Sequence, residues 1–257
     1  MILSPFLYGS TIGFAKVLNT AGNFAVLGNS TVTNTGSSTI TGDVGVDPGS
    51  AITGFPPGTV NGTIYTAGTV TLQAQIDAAA AYNVLAGMSS TGNLTGQNLG
   101  SLTLTPGVYT FATSAQLTGP LVLNAENINN AVFDIVIGST LTTASNSSVT
   151  LDNAGLNDSI FWIVGSSATL GTDTSFTGNI LADQSVTLTT GADINGGDAI
   201  ALNGAVTLDD NNIYTGYNGD TPITNPIATP EPATLYLLGL GLGLIGFMKF
   251  KRNKIVS

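Results

Sequence analysis

Residues 186–208 read VTLTTGADINGGDAIALNGAVTL, so the Val-Thr-Leu that starts at 186 returns at 206, an interval of 20 residues. That is a plausible length for one coil of a β-helix. Val-Thr-Leu also stands at 149, and Gly138-Ser139-Thr140-Leu141 is echoed by Gly165-Ser166-Ser167-Ala168-Thr169-Leu170. From Asn29 to Tyr214 the same style continues, with short β-type segments separated by Gly and Asn: Ser30–Thr35, Leu102–Thr105, Gln116–Asn124, Val132–Ile137, Ser148–Asp152, Ile160–Val164, Ser185–Thr189 and Ala205–Asp209. Regularly spaced short strands with turn residues between them predict an all-β sandwich, barrel or solenoid. The internal echoes favour the solenoid.

One segment reads as helix. Thr71 is a candidate cap for a run in which Leu72, Ile76, Ala80 and Val84 recur every fourth residue, with Ala79 and Leu85 beside them, and Gly87 ends it. The predicted helix, about 71–87, is Ala-rich with a thin apolar face suited to lying on a sheet. At 1.5 Å per residue it spans about 24 Å, the height of about five coils stacked roughly 4.8 Å apart.

Composition removes several classes of function. Charged residues make up 8% of the 257, against roughly 25% in ordinary soluble domains. The basic residues are Lys16, Lys249, Lys251, Arg252 and Lys254, so the body offers no cation to phosphate and nucleic acid is excluded as a partner. The absence of His and Cys removes imidazole bases, thiol nucleophiles, the commonest zinc ligands and disulfides. Acidic side chains remain. Asp43 with Asp47, Asp152 with Asp158, and Asp209-Asp210 are candidate carboxylate pairs for glycoside hydrolysis. Turn capping by Asp next to Gly and Asn is the favoured reading of all three. Gly196-Gly197-Asp198 occurs once, without the tandem copies of a calcium-binding roll. No catalytic residue, metal site or cofactor is expected, and Trp162 is expected in the core.

The two ends read as addresses. Met1 to Ala15 is apolar but lacks a basic start, which makes residues 1–17 a poor export signal, shortened at its beginning. Residues 217–229, with Gly219 and Pro222, read as a linker. Pro230-Glu231-Pro232 is followed by an uncharged stretch, with an apolar helix expected over 232–248, and then by Lys249, Lys251, Arg252 and Lys254. Such a helix is about 25 Å long, at the lower limit for a membrane span, and the basic end predicts a cytoplasmic C-terminus with the body outside. Residues 230–257 resemble the PEP-CTERM sorting signal of Gram-negative bacteria. The resemblance implies transient membrane anchoring, processing by an exosortase-type enzyme, and delivery to the cell surface or extracellular matrix. A plain single-pass anchor is the alternative.

The body, about residues 18–216, has a resemblance of its own. Ala21-Gly22-Asn23-Phe24-Ala25-Val26-Leu27, Gly42-Asp43-Val44-Gly45-Val46, Gly54-Phe55-Pro56-Pro57-Gly58, Ala81-Tyr82-Asn83 and Leu104-Thr105-Pro106-Gly107-Val108-Tyr109 resemble the microbial ice-binding protein family. So do Phe161 to Leu170, Gly178 to Ala182 and Asn203 to Leu208. The resemblance implies a right-handed, discontinuous parallel β-solenoid of triangular section, a long helix along one side, and one flat face that binds the ice crystal surface.

Such faces often carry Thr, then Ala or Gly, any residue, then Thr or Asn. Thr143-Ala144-Ser145-Asn146 fits in full, and Thr35-Gly36-Ser37-Ser38 ends in Ser. Thr118-Gly119, Leu170-Gly171-Thr172-Asp173 and Thr190-Gly191-Ala192-Asp193 fit in part. The expected contact residues are therefore Thr35, Ser38, Thr118, Thr143, Ser145, Asn146, Thr172 and Thr190. Outward side chains two apart on a strand sit about 6.7 Å from each other, and those on adjacent coils about 4.8 Å, a grid resembling repeats on ice planes. Threonine is stiff about its first side-chain torsion, so little ordering is needed on binding. Asp173 and Asp193 fall within the pattern, where a carboxylate would disturb ordered water. Coil corners are the competing reading of these strings. A surface or matrix protein binding polysaccharide is the alternative function.

Overall fold

The computed structural model describes residues 17–216. The expected leader before Val17, the linker and the sorting signal lie outside the described residues. Within them the chain winds through three sheets of nine, seven and eight strands, and the strand pairs within all three are parallel. One coil is Val132–Ile137, then Leu141–Thr143, then Ser148–Asp152, and the next is Ser159–Val164, Ala168–Leu170, Ser175–Phe176. Each coil adds one strand to each sheet. Alternate residues point into the bore, so Phe133, Ile135, Ile137, Leu141 and Val149 are buried together with their counterparts Ile160, Trp162, Val164, Ala168 and Phe176. Trp162 is fully buried, donates from Nε1 to the Thr177 carbonyl at 3.0 Å, and lies 4.8 Å from the ring of Phe176.

The stacking order departs from chain order. Ala199–Ala201, near the end of the described chain, pairs with Phe24–Gly28 near its start, in register Val26↔Ala199. The early coils therefore form one end of the solenoid, and Gly92–Asn93 is the outermost strand of the nine-stranded sheet at the other. A helix joins the two. It runs Thr69–Ala86, and its 18 residues span about 27 Å.

The helix start is built by Asp47, whose carboxylate accepts the Gly68 N–H at 3.0 Å and the Thr71 hydroxyl at 3.2 Å. Thr71, in the first turn, also accepts the Gly68 N–H at 3.0 Å. A negative charge at the positive end of a helix is favourable, which gives Asp47 a structural task in place of pairing with Asp43. Asp47→Ala is expected to lower stability by about 1–2 kcal/mol, read as a Tm a few degrees lower in a thermal melt.

The helix presents a different face to the sheet from the one its large side chains predict. Leu72, Ile76 and Val84 are 50%, 53% and 58% exposed, while Thr71, Ala74, Gln75, Ala78, Ala81 and Leu85 are buried. The sheet supplies the bulk: Phe24, Leu27, Phe161, Ile163, Leu181 and Ile200 stand outward from it and pack with Ala74, Ala78, Ala81 and Leu85. Large side chains on both surfaces would force the helix away, so the alanine stripe faces in. Gln75 fixes the docking by donating to the Gly28 carbonyl at 2.9 Å and the Ala201 carbonyl at 3.4 Å, on two adjacent strands.

Candidate functional site

The helix covers the nine-stranded sheet, which leaves two sheets open. The seven-stranded sheet runs Ala115–Leu117, Leu141–Thr143, Ala168–Leu170, Val186–Leu188, Val206–Asp209, Thr31–Thr35, Ala51–Thr53. Its register aligns Gln116, Thr142, Thr169, Thr187, Thr207, Thr33 and Thr53 in one column. Each is exposed or half-buried, and the residue preceding it points inward in every strand. Six consecutive coils therefore present threonine at one position, about 4.8 Å apart.

Two residues before this column stand Ser114, Thr140, Ser167, Ser185, Ala205, Thr31 and Ala51, all small. Neighbouring strands link through them: Thr140 donates to Ser114 Oγ at 2.9 Å, and the Ala205 N–H donates to Ser185 Oγ at 3.2 Å. The offset of two is the same in every coil, so these two columns form a rectangular grid about 6.7 Å by 4.8 Å.

A third row lies where this sheet turns into the eight-stranded one. Gly119, Asn146, Asp173, Gly191, Asp210 and Gly36 all have φ between +52° and +86°. The left-handed conformation makes the corner, and Gly, Asn and Asp tolerate it. Just before them stand Thr118, Ser145, Thr172, Thr190, Asp209 and Thr35, exposed except for half-buried Asp209. Backbone bonds tie the corners together: the Asn146, Asp173, Gly191 and Asp210 N–H groups donate to the Thr172, Thr190, Asp209 and Thr35 carbonyls at 2.9–3.1 Å. The step from the threonine column to this row is two residues in coils 116/118, 207/209 and 33/35 and three in coils 142/145, 169/172 and 187/190. The corner row is therefore out of step with the grid.

Of the residues expected to make the contact, Thr35, Thr118, Ser145, Thr172 and Thr190 are brought together along this corner, and exposed Asn146 is itself a left-handed corner residue. Thr143 and Ser38 correct the expectation: they are 2% and 1% exposed. Thr143 Oγ1 lies 2.8 Å from Thr174 Oγ1 and accepts the Gly171 N–H at 2.8 Å, while Ser38 Oγ accepts the Asn211 N–H at 2.9 Å. A corner interrupts the backbone ladder, and these inward hydroxyls satisfy the groups it leaves unpaired.

The four-residue pattern does not pick out the full threonine column, although Val-Thr-Leu at 186 and 206 and Ala-Thr-Leu at 168 all centre on it. The copy at 149 belongs to the eight-stranded sheet and is not equivalent. That sheet offers no comparable column: Thr39 aligns with Asn212 and Thr59, Ser175 with Asp193, and Ser148 with Pro120.

Several of the candidate carboxylates are engaged in holding the backbone. Asp43 accepts the Thr63 N–H, and Asp158 those of Ala131 and Gly155. Asp193 lies on the eight-stranded sheet, where it accepts from Asn212. Asp173 sits at a corner, one residue beyond the third row.

Comparison with known proteins agrees with this geometry. Residues 26–214 match the family described as ice-binding-like, and residues 228–253 the PEP-CTERM protein-sorting motif. The chain is 54% identical over 238 residues to an ice-binding protein of Nostoc sp. (strain HG1), covering 92% of this chain and 87% of that one. It is 31% identical to an ice-binding protein of Colwellia sp., over 82% and 91% of the two chains. A crystal structure of an ice-binding protein from an Antarctic biological consortium superposes with a TM-score of 0.73 at 43% identity, over 77% of this chain and 90% of that one. One from the Antarctic ascomycete Antarctomyces psychrotrophicus gives 0.73 at 35%, over 77% and 97%. A parallel three-sheet solenoid with a helix over one sheet, matched in sequence across nearly all of its coils, places this chain in the ice-binding-like family.

Proposed function

We propose that this protein binds ice, without catalysis, through the outer face of the seven-stranded sheet. The observation that carries this is the column Thr142, Thr169, Thr187, Thr207, Thr33, Thr53, in register over six coils beside a column of small residues. Ice is a lattice, so the affinity of a surface for it depends on repeating one arrangement many times. A strand stack fixes the repeat by backbone hydrogen bonds, and threonine holds its methyl and hydroxyl in few rotamers. We infer a right-handed winding of triangular section; the three parallel sheets that each coil visits support the section.

Residues 18–216 form the ice-binding domain, 217–229 the linker and 230–257 the sorting signal, a division supported by the two family matches. Pro230, Glu231 and Pro232, the apolar stretch 232–248, and Lys249, Lys251 and Arg252 anchor the chain until an exosortase-type enzyme removes them, leaving the domain outside the cell. Purified protein is expected to facet ice crystals, produce thermal hysteresis and inhibit recrystallisation. A folded preparation inert in all three assays would point instead to a matrix protein binding polysaccharide.

A further inference from the structure

The three outward rows of the seven-stranded sheet contain one ionisable side chain, Asp209. It is half-buried, in register with Thr35 on one side, and on the other its Oδ2 accepts the hydroxyl of Thr190 at 2.5 Å. Every other member of its row is Thr or Ser. Residues 17–248 contain no Lys or Arg, so no cation of the body pairs with this carboxylate.

A carboxylate offers about four acceptor directions and no donor. In liquid water those directions are filled by oriented molecules, and removing them without a compensating donor is costly. A neutral lattice supplies donors only where its own geometry puts them. Asp209 must therefore keep its water at the contact or lose it uncompensated, and it also turns the Thr190 hydroxyl toward itself. The defect falls between Thr190 and Thr35, within the row and not at either end of it.

We infer that Asp209 limits adsorption, acting as a brake on the affinity of the face for ice. This rests on the ice-binding reading and names the residue that sets its strength. Asp209→Asn removes the charge while keeping an acceptor for Thr190, and Asp209→Thr completes the hydroxyl row.

In the full chain both variants are expected to raise thermal hysteresis at equal protein concentration by roughly two- to tenfold, the scale of relieving one uncompensated polar group. Asp152→Asn, exposed at the end of a strand of the eight-stranded sheet, is the control and is expected to change nothing. Circular dichroism and Tm report whether each variant is folded, and Asp209→Asn carries the test if the threonine variant is not. Folded variants no more active than an active wild type overturn the inference alone. It is also overturned if only Asp209→Thr gains activity, which would assign the effect to the added methyl, or if Asp152→Asn gains equally. A folded but inert wild type overturns the ice-binding reading itself.

Discussion

Thr187→Tyr and Thr207→Tyr are each expected to lower thermal hysteresis roughly tenfold or more while leaving Tm within a few degrees of wild type. Both residues lie in mid-strand on adjacent coils near the centre of the sheet, with their side chains outward. A phenol ring standing on a flat array holds its neighbours several ångströms from the crystal. A gap of 0.5–1 Å already forfeits about a quarter to a half of a van der Waals contact, so one ring silences the rows around it. Thr172→Tyr, at the corner, is expected to cost less, because a protrusion at an edge can overhang the contact. Thr143→Tyr is expected to unfold the coil, since that hydroxyl is internal and bonded to Thr174 and Gly171. Nanolitre osmometry with parallel melting curves checks all four. Full activity in folded Thr187→Tyr and Thr207→Tyr would place the contact on another surface.

A second large effect is expected beneath the helix. Asp134 stands on the nine-stranded sheet between Val132 and Val136, is fully buried, and neither carboxylate oxygen has a hydrogen-bond partner among the described residues. Its in-register neighbours are Val108 and Phe161, and the flanking valines pack toward the helix cluster that contains Leu85 and Met88. Burial pushes its pKa from the usual 3.8 up to about 7. The folded state then holds a proton that the unfolded chain releases above about pH 4. Folding stability is full below that value and falls as pH rises toward about 7.

At roughly 1.4 kcal/mol per pH unit between about 4 and about 7, the loss is on the order of 4 kcal/mol. Asp134→Val extends the valine row and removes the cost, so Tm at pH 8 is expected to rise by several degrees. The fall in Tm between pH 4 and pH 8 is expected to shrink without vanishing, because burial also holds Asp198 well above the usual range, with the same sign. An unchanged pH profile in Asp134→Val would show that this carboxyl is solvated or paired in the folded protein.

The sequence by itself determined the solenoid class through its family resemblance, with the 20-residue return of Val-Thr-Leu favouring it because periodicity is local information. It also determined the absence of basic residues from 17–248, the place of the helix to within two residues, and both resemblances. Tertiary structure alone decided which helix face is buried. The stripes Leu72–Ile76–Val84 and Ala74–Ala78–Ala81 share one periodicity, and the choice between them depends on how far Phe24 and Phe161 project from the sheet beneath.

It likewise decided which threonines share a face. The four-residue pattern mixes corner residues with inward ones, and Thr143 and Ser38 look like Thr190 in the sequence because a single extra residue at a corner reverses the direction of a side chain. Pairing between successive coils aligns Thr142, Thr169, Thr187 and Thr207, and separately Thr33 and Thr53. The two groups become one column only when the early strands pair with the late ones, Phe24–Gly28 with Ala199–Ala201 and Thr33 with Thr207, some 170 positions apart.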